Sequence, residues 1–130
     1  MAMRIQISPT SEKPVYQQIV EQVEMAVAGG KLLPGDRLPS IRELAAQLRI
    51  NPNTVARAYR ELERAGVIET RGANGSFVAR ANPRWVERTR RRYVSQRLSE
   101  AIDAANAVGL SADELRQLFE DLVRKKLRRR

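Results

Sequence analysis

The sequence contains no cysteine and no histidine. Without these side chains it has no disulfide framework, no thiolate nucleophile, no imidazole base and no zinc site of the usual ligand types. It also has no apolar run close to the roughly 18 residues that span a bilayer, and no signal-peptide core at its start. We therefore expect a cytoplasmic protein that is not an enzyme, holds no metal or cofactor and does not enter a membrane.

Negative charge is also scarce, because the 130 residues include 24 basic and 15 acidic side chains and carry a net charge of +9. Residues 1–79 hold ten basic and eight acidic side chains, whereas residues 80–130 hold fourteen and seven. A basic excess favours a polyanionic partner, and composition alone leaves DNA, RNA and an anionic membrane surface open. Most of that excess lies in the second part of the chain.

The first part of the chain has the pattern of a helix followed by a connector. Apolar residues recur at helical spacing from Val15 to Val27 and stop at Gly29-Gly30, which predicts one amphipathic helix. Residues 32–39 include two prolines and a glycine. Because prolines restrict the residues before them, this stretch is predicted to be an ordered connector.

Two further helices are predicted directly after the connector. Ser40 is followed three residues later by Glu43, which is the pattern of a capping box, and the apolar residues after it predict a helix that ends near Arg49. Asn51 is a favourable N-cap, with Pro52 at the first helical position of the next helix. Two helices joined by so short a turn indicate a helix-turn-helix.

The third helix has one apolar and one polar face, and a strand hairpin is predicted after it. At about 100° per residue, Val55, Tyr59 and Leu62 share one face, and Asn53, Arg57, Arg60 and Arg64 share the opposite one. Strand patterns at residues 67–70 and 76–79 flank the glycine-containing residues 71–75. We interpret this hairpin, residues 67–79, as the wing of a winged helix-turn-helix.

The last fifty residues predict two more amphipathic helices. The first runs from Arg84 to Gly109, and the second opens with a capping box at Ser111 and Glu114. Their apolar stripes include six candidate dimer-interface residues: Val94, Leu98, Ile102, Leu115, Phe119 and Leu122. Two such helices cannot bury their apolar faces alone, so they need either the winged domain or a second copy of themselves.

The predicted fold is therefore mainly α with a small β-wing. It has a winged helix-turn-helix over residues 10–80 and a two-helix dimerisation region over residues 84–127.

Four segments resemble the GntR family of bacterial repressors: Pro14–Ile19, Leu33–Ala45, Asn53–Val55 and Gly75–Val78. The resemblance implies a winged helix-turn-helix that binds DNA. A short C-terminal part of two helices is similar to the YtrA-type subfamily, and the resemblance implies that those helices form a homodimer. The family also includes winged domains fused to aminotransferase-like domains, but the end of this chain is expected to be complete.

Eight residues are candidates for DNA contact: Ser40, Arg42, Asn51, Asn53, Thr54, Arg57, Arg71 and Gly75. The family resemblance implies that Arg42 contacts DNA, and the alternative is that it solvates the helix terminus or pairs with Glu43 or a neighbouring acid. Short polar side chains at the start of the third helix can reach phosphates or base edges, although Asn51 also serves as an N-cap.

The positions of several arginines suggest which part of the DNA each would contact. Arg57 is the best candidate for a bidentate guanine contact because it lies on the outward face of the third helix. Arg60 and Arg64 lie further along that face, where backbone contact and simple solvation are both open. In the wing, Arg71 is suited to the minor groove, and Gly75 permits a tight turn or close approach to phosphate.

Two positions depart from the family pattern and make the base readout of this chain different. Many relatives have an arginine where this chain has Pro52, and another where it has Ala56.

The function predicted from the sequence is a sequence-specific transcriptional regulator, a repressor that binds an inverted-repeat operator in double-stranded DNA as a dimer. An alternative is nonspecific nucleic-acid binding through the basic C-terminal region, which includes the run Arg88–Arg92 and the tail Arg124–Arg130. The sequence does not indicate whether a small-molecule effector exists.

Overall fold

Five helices and two short strands follow one another along residues 4–127, the part of the chain that the computed structural model describes. They are α1 (Val15–Ala28), α2 (Ile41–Leu48), α3 (Pro52–Arg64), β1 (Ile68–Thr70), β2 (Ser76–Val78), α4 (Pro83–Ala107) and α5 (Ala112–Lys126). The strands pair antiparallel, and a single 3₁₀ turn joins them. The predicted fold class, mainly α with a small β-wing, is confirmed.

Side-chain caps set the starts of three helices, as the sequence predicts. The Ser40 hydroxyl accepts a hydrogen bond from the Glu43 backbone N–H at 3.0 Å, and the Glu43 carboxylate accepts one from the Ser40 N–H at 2.8 Å. Ser111 and Glu114 form the same reciprocal pair at 3.1 and 2.9 Å. The Asn51 carboxamide oxygen accepts from the backbone N–H two residues later at 2.8 Å. Each cap is predictable because it depends on a few adjacent residues.

The core lies where α1, α2, α3 and the sheet meet. Its fully buried side chains include Ile19, Val23, Leu38, Leu44, Val55, Leu62, Val67 and Val78. Tyr59, on the predicted apolar face of α3, is also buried, and its hydroxyl donates to the Pro39 carbonyl oxygen at 2.6 Å. Burial raises the pKa of the Tyr59 phenol well above its ordinary value, so α3 is tied to the connector by a neutral donor.

The segment before α1 also belongs to this core. Ile5 is buried in the core cluster, and Ile7 packs against it. The buried Gln18 side chain accepts from the Ser8 N–H at 2.8 Å and donates to the Ser8 carbonyl at 3.1 Å. The predicted domain range of 10–80 therefore leaves out one of the core residues.

The connector is hydrogen-bonded to the hairpin through an isolated bridge, which its prolines conceal in the sequence. The Gly35 N–H donates to the Val78 carbonyl, and the Val78 N–H donates to the Asp36 carbonyl, both at 2.8 Å. An isolated bridge pairs Arg37 with Phe77. The wing is therefore anchored to the chain segment that leads into α2.

The chain divides into two compact units, the first extending to Arg91 and the second beginning at the next residue. The first turns of α4 belong to the first unit, since Trp85 packs against its core and Thr89 is buried there. The Arg90 Nε donates to the Ala28 carbonyl at the end of α1 at 2.7 Å. We call residues 4–91 the winged unit and residues 92–127 the two-helix unit.

The two-helix unit consists of the rest of α4, a turn and α5. Gly109, with φ of +74°, forms the turn, and the Leu110 N–H donates to the Ala105 carbonyl at 2.9 Å. The last turn of α5 contains Arg124, Lys125 and Lys126, while residues 128–130 of the predicted basic tail lie outside the described residues. Among the helices of residues 4–127, none combines the length and apolar character needed to cross a membrane.

Candidate nucleic-acid interface

The exposed face of α3 carries the polar residues that the sequence assigned to it. Asn53, Arg57, Arg60 and Arg64 are all exposed, whereas Val55 is fully buried on the opposite side. The hydrophobic contacts of α3 hold the helix in place, and its polar side is presented outward.

The short polar side chains at the start of α3 differ in their exposure and in the hydrogen bonds that they already make. Asn51 and Asn53 are exposed, and Thr54 is half-buried. The Asn51 oxygen accepts the cap hydrogen bond, so the amide N–H₂ and the second lone pair of that oxygen remain to contact another molecule. Both roles considered for Asn51 are compatible with this geometry.

Arg57 does not extend freely from α3. Its guanidinium carbon lies 3.8 Å from the centre of the Tyr16 ring, in the first turn of α1. Within residues 4–127 no hydrogen bond or ion pair engages its N–H groups. Arg64, by contrast, lies 3.5 Å from the Glu61 carboxylate. Arg57 therefore rests on the Tyr16 ring with its donors unused.

The start of α2 separates two possible roles of Arg42. Glu43 is committed to the capping box with Ser40, and these hydrogen bonds hold the pKa of the Glu43 carboxyl below its ordinary value. Arg42 is exposed and makes no ion pair within the part of the chain that the structure describes. The alternative in which Glu43 neutralises Arg42 therefore has no support in the geometry.

Arg71 is held within the wing by two neighbours. Its Nη2 and Nε donate to one Glu69 carboxylate oxygen at 2.8 and 3.0 Å, and its guanidinium lies 4.3 Å from the centre of the Phe77 ring. The ion pair is half exposed, and such pairs contribute little net stability. A phosphate oxygen could therefore replace Glu69 at small cost.

Gly75 brings the wing against a residue that the sequence analysis did not single out. Its φ is +102°, and a Cβ at this position would lie 3.3 Å from the Arg37 Nε. Glycine is needed here for the backbone conformation, and an added Cβ would also require the Arg37 guanidinium to shift by a few tenths of an ångström.

Arg37 is exposed, and its charge is among the causes that lower the pKa of Glu43. It connects the wing with the start of α2. Strand alternation offered a signal for it, because the adjacent Leu38 points into the core.

The basic run at the start of α4 is only partly available. Arg90 is bonded to the Ala28 carbonyl, and Arg91 lies 3.0 Å from the Glu87 carboxylate. Arg88 is exposed. The run therefore does not behave as one uniform charged face.

In the two-helix unit, apolar side chains line a groove of about 450 Å³. We call it the apolar groove, and its lining includes Leu98, Ala101, Ile102, Leu115, Leu118, Phe119 and Leu122. Five of the six predicted interface residues are among these. The sixth, Val94, is 59% exposed and lies outside the lining. Large apolar side chains remain exposed along the groove, so this surface is not covered within the unit.

Comparison with known proteins gives this geometry a family. Residues 15–78 match the family described as bacterial regulatory proteins, gntR family. Over 118 residues the chain is 36% identical to the HTH-type transcriptional repressor YtrA of Bacillus subtilis, with 91% of each chain covered. The chain belongs to the GntR family. It is a DNA-binding transcription regulator of the YtrA type, as the sequence resemblance indicated.

Solved structures of GntR-like regulators have the same fold. A transcriptional regulator from Oenococcus oeni superimposes with a TM-score of 0.68 at 35% identity, covering 90% of this chain and 97% of the other. The DNA-binding domain of AraR, in complex with its operator ORX1, gives a TM-score of 0.52 at 28% identity and covers 61% and 99%. The winged helix-turn-helix is confirmed.

For a GntR regulator, this chain has few long cationic side chains at the start of α3. Pro52 is the first residue of α3, and Ala56 is half-buried, so neither position provides the arginine that many relatives carry there. In the first two turns of α3, Arg57 is the residue with a long cationic side chain. Any guanine readout by this part of the helix therefore depends on it.

Proposed function

We propose that this GntR-family protein is a cytoplasmic repressor that binds an inverted-repeat operator in double-stranded DNA as a homodimer. The α3 helix of each copy enters the major groove of one half-site. The observation that carries the proposal is Arg57, whose guanidinium is fixed over Tyr16 while its donors have no partner within the described residues. The operator-bound structure of the similar AraR domain supports DNA as the ligand.

In this proposal the side chains around α3 divide the work of recognition. Arg57 donates to the O6 and N7 of a guanine, a contact that discriminates by about 1–3 kcal/mol. Asn53 and Thr54, at the start of α3, contact base edges or phosphates. Asn51 and Ser40 lie close to the DNA backbone. Arg42 and Arg37 neutralise phosphates, which sets affinity and register rather than sequence.

The wing contacts the flanking minor groove. Arg71 is suited to this because its ion pair with Glu69 is half exposed and can be exchanged for phosphate. Gly75 lets the wing backbone come close to the DNA.

The homodimer is proposed to form through the apolar groove. Exposed apolar surface of this kind, on two helices that leave it open, is covered in the simplest way by the same surface of a second copy. The symmetry of such a dimer matches an inverted repeat, with half-sites about one helical turn, roughly 34 Å, apart.

Nonspecific binding through the basic C-terminal region is the competing function. Three arginines of the two-helix unit lie within ion-pair distance of a carboxylate three residues away. These pairs are Arg97 with Glu100, Arg116 with Asp113, and Arg124 with Asp121. Residues 92–127 hold six basic and six acidic side chains, so the two-helix unit has no net basic excess, which favours α3 as the source of affinity.

The test begins with selection of bound duplexes from random DNA. The affinities of the wild type and of Arg57→Ala are then measured on the selected operator and on a scrambled duplex at physiological salt. We expect the wild type to prefer the operator by at least about a thousandfold. Arg57→Ala should lose about 5- to 150-fold on the operator and little on the scrambled duplex.

Arg64→Ala is the matched control, because Arg64 lies on the same face of α3 but is paired with Glu61. It should change both affinities only slightly. Equal losses of Arg57→Ala on the two duplexes would contradict base readout. A wild type that binds both duplexes equally would favour the nonspecific function.

A further inference from the structure

The contact between Arg57 and Tyr16 joins two elements that are distant in sequence. Tyr16 is the second residue of α1, whereas Arg57 lies in the middle of α3. The Tyr16 ring is half-buried and packs against the core, so its position is fixed by the winged unit. A guanidinium carbon 3.8 Å from the ring centre is within the range of a cation–π contact.

Stacking leaves an arginine free to form hydrogen bonds. The five N–H donors of a guanidinium lie in its plane and point outward from its edge, whereas an aromatic ring covers only its face. These donors form the planar fork of the guanidinium. The fork can therefore make two hydrogen bonds to a base while the ring holds the guanidinium in place. Within residues 4–127 none of these donors is used, so the stack orients Arg57 without consuming its hydrogen-bonding capacity.

Arg71 provides the contrast within the same unit. It also stacks on an aromatic ring, that of Phe77, but two of its N–H groups donate to Glu69. Its fork is occupied, and it must release a carboxylate before it can bind anything else. Only Arg57 combines an aromatic support with an unoccupied fork among the arginine–aromatic contacts recorded within the winged unit.

We propose that Tyr16 is a specificity-determining positioning residue, which holds the Arg57 guanidinium so that its fork meets a base edge in the major groove. The inference rests on the proposed function. It adds a residue of α1 to the readout, although α1 itself need not touch DNA. Because the long arginine side chain is already ordered, less side-chain entropy is lost when the contact forms.

The test compares a variant that keeps the ring with one that removes it. Tyr16→Phe retains the aromatic face, and Tyr16→Leu retains apolar bulk without it. We expect Tyr16→Phe to bind the selected operator within about twofold of the wild type. Tyr16→Leu should lose about 2- to 12-fold on the operator, the cost of ordering one long side chain on binding, and should be unchanged on a scrambled duplex.

A double-mutant cycle separates positioning from packing. In an Arg57→Ala background, Tyr16→Leu should cause no further loss of operator binding, because there is no guanidinium left to hold. The side-chain protons of Arg57 next to the guanidinium should show an upfield ring-current shift by NMR in the wild type and in Tyr16→Phe, and lose it in Tyr16→Leu. Thermal unfolding sets a temperature at which every variant is folded, and Tyr16→Met replaces Tyr16→Leu if the latter unfolds.

The possible results distinguish failure of the positioning role of Tyr16 from failure of the proposed function. If Tyr16→Leu binds the operator as the wild type does, or if its loss multiplies fully with that of Arg57→Ala, the positioning role is overturned while specific binding stands. If its loss is equal on both duplexes, Tyr16 is a packing residue only. If the wild type fails to discriminate between the duplexes, the proposed function is overturned and the inference with it.

Discussion

The winged unit and the two-helix unit treat their apolar side chains in opposite ways. In residues 4–91, Ile19, Val55 and Leu62 are entirely removed from solvent. In residues 92–127, Ile102 is 51% exposed and Phe119 is 46% exposed. The winged unit therefore completes a core from its own residues, whereas the two-helix unit leaves apolar surface that its own residues do not cover. The first unit is self-sufficient, and the second has the open surface expected of the proposed dimer interface.

The largest effect should come from a cavity in the winged unit. Leu62→Ala removes most of a fully buried side chain from α3, and we expect the free energy of unfolding to fall by about 2–5 kcal/mol. Urea unfolding measures the change, which should not depend on protein concentration. Leu118→Ala, at a groove position that is 47% exposed, is the matched control in dilute protein. A loss as large as that of Leu62→Ala would remove the distinction between the units.

The next effect should come from the apolar groove. Phe119→Ala removes the largest side chain of the groove lining, and we expect the dissociation constant of the proposed dimer to rise by about 30-fold or more, as at an interface hot spot. Sedimentation equilibrium measures the constant. Val108→Ala, at a position that is 79% exposed and outside the groove lining, should leave it almost unchanged. A protein that is monomeric at all concentrations would instead remove self-association from the proposal.

Features that depend on adjacent residues were predictable from the sequence. The capping boxes at Ser40 and Ser111 formed because hydroxyl, backbone and carboxylate lie within one turn of one another. The buried face of α3 followed from its 3.6-residue period, and Tyr59 and Leu62 are buried as that period requires. The starts of the five helices therefore agree with the sequence to within a residue or two.

Features that depend on distant residues were not predictable. Ile5 enters the core only because α1 passes beside it, and Arg37 pairs with Phe77 across forty residues of intervening chain. The stack of Arg57 on Tyr16 likewise requires α1 and α3 to pack together. Periodicity identified Arg57 as outward-facing, but no local pattern specifies what lies beside its guanidinium. The sequence therefore predicted the individual residues of the candidate site, but it did not predict the contacts that orient their side chains.

The smallest effect tests whether the same local motif serves the two units differently. Ser40→Ala and Ser111→Ala each remove a cap hydroxyl, and we expect each to lower the stability of its helix by about 1 kcal/mol. α2 is supported by the buried residues Leu44 and Ala45, whereas no residue of α5 is buried. Fraying should therefore be greater in α5, and amide hydrogen exchange in the first turn of each helix measures it. Equal protection in both variants would show that α5 is supported as firmly as α2.

The pH dependence follows from the same hydrogen bonds. Those from the backbone and side chain of the cap serine lower the pKa of Glu43 and Glu114 below the ordinary 4.5. A lowered folded pKa means that the stabilisation is present above about pH 4.5 and is lost as the pH falls through the lowered value. In each Ser→Ala variant the backbone N–H remains, so the carboxyl pKa should rise only part of the way to its ordinary value. NMR titration of the two carboxyls would detect this, and a pKa that does not move would assign the whole shift to the backbone bond.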